Sequence, residues 1–497
     1  MSETSHRKTP TSPATGGGVW DRAVSRIWDA LFTPVDNSFL AYMRILLGSI
    51  MVWEVTRYFS NGWIPYYYIE PKFHFTYYGF EWVKPWPGNG MYIHFQALGV
   101  LALCMTLGFY YRIAAALFFV GFTYVFLLEE SRYLNHFYLI CLLSFLMIFV
   151  PAERVFSLDA RRKPALRSDT APGWTLWLLR AQIGLAYFFG GVAKLSHDWL
   201  HGEPMRSWLA SRTNFPIIGP YFREEWMVYG FVFGGLLLDL CVVPLLLWRR
   251  TRPWAFLAAV TFHLMNSQLF SIGIFPWFML FGTLIFFPPD LPRRVVAFVL
   301  PGSGAGGRSK RRRTQAAVEP VSGSATRPTR ERLVAGAVFA WLLVQVLVPL
   351  RHFLYPGDVN WTEEAHRFSW HMKLRDKDGE ATFYVTDPKT GEEWEVDSRE
   401  HLTPRQRSRV AGRPDMALQY AHFLAEQFRK DGHDNVEVRV EALVSVNGRE
   451  PQLLIDPDVD LAKEKRRLWP PAKWILPLTN PLPAPGAKAR AESSDSD

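Results

Sequence analysis

The feature that most constrains the fold of this chain is a series of apolar runs, each close to the length of a membrane span. A helix needs about 20 apolar residues to cross the hydrocarbon core of a bilayer. Such runs predict spans at about residues 38–57, 90–110, 113–129, 134–151, 174–195, 227–247, 254–270, 273–287 and 333–350. Only Ser271–Gly273 separates the seventh run from the eighth, which is also compatible with one re-entrant hairpin. The pattern predicts a multi-pass α-helical membrane protein with about nine spans.

Composition agrees with a membrane protein and argues against several other classes. Apolar residues make up 49% of the 497 residues and aromatic residues 15%, which is typical of spans flanked by aromatic belts. The net charge of +9 does not indicate nucleic-acid binding, because the basic residues cluster in short loops between apolar runs. Cys104, Cys141 and Cys241 all lie inside apolar runs, so we expect no disulfide framework and no metal site.

The distribution of basic residues predicts the orientation in the membrane. The loops after the fourth, sixth and eighth spans are rich in arginine and lysine, whereas alternate loops carry acids such as Glu129–Glu130 and Glu224–Glu225. Strongly basic loops stay on the cytoplasmic side. This rule places the N-terminus in the cytoplasm, and nine spans then place the C-terminal domain outside it.

The chain divides into six predicted segments. These are a disordered N-terminal segment (1–35), a transmembrane helical domain (36–290), a basic cytoplasmic linker (291–331), the last transmembrane helix (332–353), an extracytoplasmic α+β domain (354–480) and a disordered tail (481–497). In the α+β domain, two predicted hairpins flank a helix predicted over 403–430. The second hairpin carries Asn447-Gly448, a pair typical of a type I′ turn.

Polar side chains interrupt three of the apolar runs at a similar predicted depth. Asn135 and His136 begin the fourth span, Lys194 closes the fifth, and His263, Asn266 and Gln268 lie in the outer half of the seventh. Each unpaired polar group in hydrocarbon costs on the order of a few kcal/mol, so such groups usually face a site. Their shared depth predicts a site in the outer leaflet, beneath the external domain.

Each of these residues also has a simpler interpretation. A lysine at the end of a span often anchors its ammonium at the headgroups, and a histidine in a span often bonds a backbone carbonyl. Lys194 differs because Gly190-Gly191 just before it permit close helix approach. A lysine desolvated there favours its neutral amine, which can act as a general base. Other charged residues in or near the spans are interpreted mainly as structural ion-pair partners, namely Arg44, Glu54, Arg57, Arg180 and Asp239.

Known catalytic motifs narrow the chemistry further. The sequence contains no nucleophile elbow, phosphate-binding loop or HExxH pattern, which argues against hydrolase and nucleotide chemistry. A neutral base near the bilayer surface suits a lipophilic substrate with a weakly acidic proton, and a quinol fits that description. Composition and spacing lead no further than this.

Several sequence blocks resemble the vitamin K-dependent γ-glutamyl carboxylase family, including its bacterial members that carry an HTTM domain. The blocks are LNHFYL (134–139), LLRAQ…YFFGGVAKL.HDW (178–199), GGLLLDL (234–240), FHLMNSQLFSIGIF (262–275), NWT…FSW (360–370) and LLIDPDVD (453–460). They run in the family's order from about residue 33 to 478. The resemblance implies an HTTM-like transmembrane domain and a lyase that couples oxygenation of reduced vitamin K to carboxylation of glutamate.

The resemblance also implies roles for particular residues. Lys194 matches the lysine that deprotonates reduced vitamin K (phylloquinol or menaquinol), and His136 matches a histidine that assists. Asn135, His263, Asn266 and Gln268 match the quinol pocket, and Trp370 and Met372 fall in the segment linked to glutamate binding. Dioxygen and carbon dioxide are the implied co-substrates. The implied partners are the lipid bilayer, a membrane quinol and a glutamate-containing peptide or protein.

Departures from the family keep alternatives open. His371, Lys373 and Arg375 replace more typical family residues just after Trp370, and the long C-terminal region of animal members is missing. One alternative is therefore a quinol epoxidase that lacks protein carboxylation. A membrane transporter is a weaker alternative, because the spans show no inverted repeat. The short C-terminus and the lack of disulfides favour a bacterial inner membrane.

Overall fold

In a computed structural model, residues 19–270, 272–300 and 328–483 are described. A bundle of helices comes first in the chain, and a sheet-containing domain follows it. The helices of the first part are α1 (Val19–Phe32), α2 (Ser38–Ser60), α3 (Gly90–Leu107), α4 (Tyr111–Leu127), α5 (Asn135–Phe149), α6 (Leu158–Arg162), α7 (Gly173–Ala193), α8 (His197–Leu200), α9 (Met205–Ala210), α10 (Glu225–Leu247), α11 (Arg252–Leu269), α12 (Phe275–Gly282), α13 (Leu291–Val299) and α14 (Thr329–Leu350). Two short strands, β1 (Pro34–Asp36) and β2 (Thr170–Pro172), pair antiparallel beside α7.

Each predicted span coincides with a helix, but the helices differ in length and polarity. Within the described residues, five helices are long and apolar enough to cross a membrane: α2, α3, α7, α10 and the helix that begins with α14. The apolar helices α4 and α5 and the segment Phe275–Phe286 are shorter. The count of nine spans and their orientation stay predictions.

Helices extend into two of the predicted non-helical segments. Helix α1 occupies Val19–Phe32, inside the segment predicted to be disordered, while residues 1–18 lie outside the described residues. Its sequence VWDRAVSRIWDALF repeats apolar residues every three or four positions, which favours an amphipathic helix. In the predicted linker, α13 covers Leu291–Val299 and α14 already begins at Thr329, whereas residues 301–327 lie outside the described residues. The predicted tail is described only to residue 483.

Close helix pairs form the centre of the bundle. Helix α2 packs along α3, and α7 packs along α10. A Cβ added at Gly191 would lie 2.7 Å from Leu240 Cδ2, so glycine is needed for the close approach of α7 and α10. Arg44, predicted to form an ion pair, instead donates to backbone carbonyls, including those of Met105 and Ala152. The buried guanidinium thereby supplies hydrogen bonds to carbonyls at the end of α3 and in a loop.

The C-terminal domain is built on an antiparallel sheet. Its strands are β3 (Lys377–Thr386), β4 (Glu393–Val396), β5 (Glu437–Val446) and β6 (Gln452–Leu453), in the order β4-β3-β5-β6. Helices α15 (Val359–Thr362), α16 (Pro404–Val410) and α17 (Pro414–Lys430) accompany the sheet. Both predicted hairpins are present, and Asn447 and Gly448 have positive φ as a type I′ turn requires. The helix predicted over 403–430 is interrupted before Pro414, because a residue that precedes proline disfavours helical backbone.

Buried ion pairs join the C-terminal domain to the helical bundle. Arg449 contacts both carboxylate oxygens of Asp198 at 2.6 and 2.7 Å. Glu130 accepts from Gln419 at 3.0 Å and lies 3.4 Å from Arg367. These contacts hold the domain over one end of the bundle, where the two regions enclose a cavity.

Candidate active site

A cavity of about 1320 Å³ lies between the helical bundle and the C-terminal domain. Its walls come from the start of α5, the end of α7, the facing sides of α10 and α11, the segment 363–375 and helix α16. Ordinary ligand pockets measure roughly 300–1,000 Å³, so this cavity has room for a large lipophilic ligand and a second substrate. We call the part formed by α5, α7, α10 and α11 the inner half and the part formed by 363–375 and α16 the outer half.

Lys194 lies in the inner half, directly after α7, and is paired with an acid. Its Nζ lies 2.6 Å from Asp239 Oδ2 and donates to the Gly190 carbonyl at 3.2 Å. Both charged side chains are buried. Lys194 Nζ also lies 5.4 Å from the Trp199 ring centroid, so its ammonium is not anchored at the headgroups. The pair has no net charge in either of its proton arrangements, which suits a buried position.

Asp239 forms an ion pair, as the sequence predicts, but its partner is Lys194 and it lies in the cavity wall, which the sequence does not predict. The structure places it in the cavity wall, on the proposed base. A signal was available, because Asp239 is the one acid in the apolar run that follows the first turn of α10. An acid buried in a span usually faces a functional partner.

His263 and Asn266 lie in the cavity wall, whereas Gln268 does not. His263 is buried, and its Nε2 lies 2.6 Å from Tyr187 Oη. Positions 263 and 266 are three residues apart and share one helix face, but 263 and 268 are five apart and do not. Gln268 is accordingly exposed on another side of α11, and its predicted place in the pocket is wrong.

The predicted residues at the start of α5 meet the C-terminal domain at the cavity. His136 lines the cavity, and its ring centroid lies 5.7 Å from that of Phe275. Asn135 accepts a hydrogen bond from Tyr133 Oη at 3.0 Å and donates to the His371 carbonyl at 3.1 Å. Asn135 therefore fixes the backbone of the outer half to the inner half.

The two predicted glutamate-site residues have different positions. Met372 lines the cavity and approaches α7, because a Cβ at Gly190 would lie 2.9 Å from its Cε. Trp370 is 1% exposed and does not line the cavity; its ring centroid lies 5.2 Å from that of Tyr138. Trp370 therefore supports the segment from behind and is not available to contact a ligand, which corrects the predicted binding role.

The segment 363–375 has an unusual backbone. Five residues that are not glycine have positive φ, namely Glu363, Ala365, Phe368, Trp370 and Lys373. Such conformations cost of order 1–3 kcal/mol each and persist where surrounding contacts impose them, often at functional sites. One such contact is the hydrogen bond from the Phe368 amide to Tyr133 Oη, at 2.8 Å.

Basic side chains dominate the outer half. The basic residues in its wall are Arg367, Lys373, Arg375, Arg405, Arg409 and Arg413. Arg375 is paired with Glu363 at 2.9 Å, and Arg367 is paired with Asp415 at 2.9 Å. We call the other three arginines, Arg405, Arg409 and Arg413, the basic cluster. The sequence analysis missed this cluster, although Arg405 and Arg409 are four residues apart and therefore share one face of α16.

The basic cluster presents buried nitrogen atoms that lack a hydrogen-bond partner among the described residues: Arg405 Nε, Arg409 Nε and Arg413 Nη1. Arg413 is 9% exposed, and burial together with the nearby Arg367 lowers its pKa to about 9, so it remains a cation at neutral pH. A buried guanidinium nitrogen without a hydrogen-bond partner is costly, and carboxylates are the best hydrogen-bond partners of a guanidinium. The cluster therefore fits an anionic ligand.

In the part of the chain that the structure describes, no group of three or more histidine, cysteine, aspartate or glutamate side chains could hold a metal ion. The polar groups at this cavity are instead a lysine–aspartate pair, a tyrosine-bound histidine and the basic cluster. These groups can move a proton and bind a carboxylate.

Two protein-family models match the chain. The HTTM domain matches residues 32–291, which is more than half of the 497 residues. The lumenal domain of vitamin K-dependent gamma-carboxylase matches residues 330–481. No solved structure matches the chain. The two matched domains meet at the cavity, and together they show that the chain belongs to the HTTM-domain family of vitamin K-dependent carboxylases.

Proposed function

We propose that this protein is a γ-glutamyl carboxylase that couples oxygenation of reduced vitamin K to its epoxide with carboxylation of glutamate in a peptide or protein. The observation that carries the proposal is that one cavity joins the buried Lys194–Asp239 pair to the basic cluster. A lipophilic quinol suits the first of these environments, and an acidic peptide side chain suits the second.

The inner half fits a quinol headgroup. Leu238 and Phe262 supply apolar wall, while Asn135 and Asn266 supply amide groups that can bond a quinol oxygen. Lys194 is proposed to take the hydroxyl proton. It does so from the neutral form of its pair, in which Asp239 holds the shared proton and the amine has a free lone pair. His136 is proposed to assist at the same headgroup, and His263 is held in position by Tyr187.

Oxygenation of the deprotonated quinol supplies a base strong enough to remove a γ-proton of glutamate, and the carbanion then adds to carbon dioxide. The overall reaction consumes quinol, dioxygen, carbon dioxide and glutamate. It yields the epoxide, γ-carboxyglutamate, water and one proton, so atoms and charge balance. The product has one more negative charge than the substrate.

The outer half fits the glutamate side chain. Arg413 and Arg409 are proposed to bind its γ-carboxylate, because both residues line the same cavity as Lys194 and each has a buried nitrogen atom without a hydrogen-bond partner among the described residues. Met372 packs between this site and α7. Binding a carboxylate there would give these nitrogen atoms the hydrogen-bond partner that the described residues do not provide.

The test is incorporation of isotope-labelled carbon dioxide into a glutamate-containing peptide, with the full-length protein in membranes or nanodiscs. Reduced vitamin K is supplied as phylloquinol or menaquinol, and epoxide is measured in the same samples. We expect label and epoxide together, and a peptide with glutamine in place of glutamate is the matched control. Absence of both products would contradict the proposal.

Epoxide without label would instead favour a quinol epoxidase that lacks protein carboxylation. One observation favours this second function. The segment linked to glutamate binding carries His371, Lys373 and Arg375, where the family typically has other residues. All three line the outer half, where His371 is buried and Arg375 is half-buried, so the replacements affect the proposed glutamate side and not the quinol side.

We also propose a bacterial inner-membrane location with the N-terminus in the cytoplasm and the C-terminal domain outside. The basic loops and the apolar helices support this arrangement. Single cysteines placed at exposed positions in α1 and in the β3–β4 turn, in a variant without the three native cysteines, would test it. A membrane-impermeant thiol reagent should label intact cells only at the second position.

A further inference from the structure

We propose that Arg132 and Arg405 form a second carboxylate site, which binds an acidic side chain that neighbours the modified glutamate in the peptide. The inference rests on the proposed function, because it extends the substrate from one glutamate to a glutamate with an acidic neighbour. Both arginines line the cavity, and neither takes part in the binding of the γ-carboxylate that is proposed for Arg409 and Arg413.

The two arginines come from different parts of the chain and meet at one aromatic ring. Arg132 ends the short helix Glu130–Arg132 that precedes α5, and Arg405 lies in the first turn of α16. The Tyr67 ring centroid lies 3.5 Å from Arg132 Cζ and 5.7 Å from Arg405 Cζ, and Tyr67 also lines the cavity. The helical bundle and the C-terminal domain therefore each supply one cation to the same corner of the cavity.

Hydrogen bonds of a neighbouring residue hold Arg405 at this position. The side chain of Gln406, the next residue in α16, donates to the Phe73 carbonyl at 2.8 Å and to Glu129 at 3.1 Å. Gln406 is buried, so these bonds are shielded from water. They tie α16 to the loop that follows Tyr67. The guanidinium of Arg405 is therefore not needed to hold the helix in place.

Neither arginine forms an ion pair with an acid among the described residues. Arg132 donates to the Tyr58 hydroxyl at 2.9 Å, and the Nε of each arginine is buried without a hydrogen-bond partner in the same part of the chain. Burial, and then the nearby Arg132 and Arg409, lower the pKa of Arg405 to about 10, so Arg405 is a cation at neutral pH. Both arginines are thus available to pair with an anionic ligand.

The cavity wall has more cations than its acids can pair with. Its three acids among the described residues are already in ion pairs: Glu54 with Arg57, Asp239 with Lys194 and Glu363 with Arg375, at 2.6, 2.6 and 2.9 Å. A γ-carboxylate bound at Arg409 and Arg413 would leave Arg132 and Arg405 still without an ion-pair partner within the described chain. Carboxylates are the best partners of a guanidinium, so the wall fits a ligand with two of them.

The geometry of α16 predicts the distance between the two acids. Arg405 and Arg409 are four residues apart, which corresponds to about 6 Å along the helix axis. Side chains two residues apart on an extended peptide point to the same side and lie about 6–7 Å apart. The cavity therefore fits an extended peptide with an acidic residue two positions from the modified glutamate. The glutamate lies at Arg409 and its acidic neighbour at Arg405.

The experiment compares peptides in which the modified glutamate has aspartate or asparagine two positions before or after it. Aspartate supplies the second carboxylate without adding a second glutamate. For one of the two placements, we expect the wild-type KM to be about tenfold lower with aspartate than with asparagine. Arg132→Gln and Arg405→Gln should abolish this preference and leave the KM of the asparagine peptide unchanged. Arg405→Lys, which keeps the charge, should retain part of the preference.

Arg407→Gln is the matched control. Arg407 lies in α16 and also has a buried Nε without a partner among the described residues, but it does not line the cavity. Its variant should keep the full preference for the aspartate peptide. Thermal unfolding of every variant in the same nanodiscs checks that the proteins are folded.

Binding of fluorescent forms of the same peptides to the full-length protein in nanodiscs separates this inference from the proposed function. Selective binding of aspartate peptides by a protein that forms no γ-carboxyglutamate would support the site and contradict the function. Absence of both binding and carboxylation would overturn both.

Equal KM values for the aspartate and asparagine peptides in an active wild type would overturn the second site while the function stands. The site is equally overturned if Arg132→Gln and Arg405→Gln keep the preference or raise the KM of both peptides alike. A rise of the KM for carbon dioxide in place of the peptide KM would overturn it as well, since that result would assign the two arginines to bicarbonate.

Discussion

The two halves of the cavity differ in whether their polar groups have hydrogen-bond partners within the protein. In the inner half, Lys194 is bonded to Asp239 and His263 is bonded to Tyr187, at 2.6 Å in both cases. In the outer half, Arg413 and His371 carry buried nitrogen atoms that find no partner within the described chain. These two inner-half groups therefore have protein partners, whereas the outer-half nitrogen atoms have none among the described residues.

The difference follows from what surrounds each half. An unpaired charge among apolar helices is costly even in the resting protein, so the inner half needs internal partners. A lipophilic quinol adds no charge there before it reacts. The outer half lies in the C-terminal domain beside further charged residues, and its surplus positive charge matches an anionic substrate. Pairing therefore distinguishes the proposed proton-transfer site from the proposed carboxylate-binding site.

The largest expected effect is on the inner half. Lys194→Ala should lower the rate of epoxide formation by about 10²–10⁴-fold, because no other amine of the cavity wall lies in the inner half. Lys194→Arg is the matched control, since it keeps a cation beside Asp239 but does not become a neutral base. Epoxide is measured at saturating quinol, with thermal unfolding as the check on folding. Full activity of either variant would remove Lys194 from the base role.

Replacing Asp239, the acidic member of the Lys194–Asp239 pair, should lower the stability of the protein as well as its activity. Asp239→Asn leaves a buried ammonium without its counterion, which is expected to destabilise the fold by about 3–5 kcal/mol. The double variant Lys194→Met, Asp239→Leu should recover most of that stability and form no epoxide. Thermal or denaturant unfolding in one detergent compares the three proteins. Equal stability of Asp239→Asn and the wild type would contradict the pairing.

The outer half should respond in the opposite sense. Arg413→Gln removes a buried cation whose Nη1 has no hydrogen-bond partner among the described residues, so stability should change little. The KM for the glutamate peptide should increase by about 10-fold or more, equivalent to about 1.5–3 kcal/mol for a lost bond to a charged group. The KM for the quinol should not change. Arg429→Gln, at an exposed ion pair, is the control, and lower stability of Arg413→Gln would indicate a structural role.

The smallest expected effect comes from the second inner pair. Tyr187→Phe removes the hydroxyl that bonds His263, which is worth about 0.5–1.5 kcal/mol. We expect a rise of the quinol KM by about 2- to 10-fold, with an unchanged KM for the glutamate peptide. Tyr42→Phe is matched to it, because that hydroxyl bonds the Phe281 carbonyl away from the cavity. An equal effect of both variants on the quinol KM would mean that the His263 contact is not specific to the pocket.

Much of the site was predictable from polar residues inside apolar runs. His136, Lys194, His263 and Asn266 were predicted at one depth, and all four line the cavity. The prediction for Gln268 was wrong, because polar residues that are close in the sequence lie on more than one face of a helix. The order of helices and both hairpins also followed from hydrophobic period and turn chemistry.

The helical segments and the polar groups within them follow from the order of amino acids, because periodicity and hydrophobic length act locally. Which of those groups come into contact depends on how the helices and the C-terminal domain pack. Asp239 is 45 residues from Lys194, and Arg413 is more than 200 residues away from it, yet all three line one cavity. Such meetings depend on packing between distant elements. Glycine at position 191 allows the close approach of α7 and α10, and the Asp198–Arg449 contact holds the C-terminal domain above them.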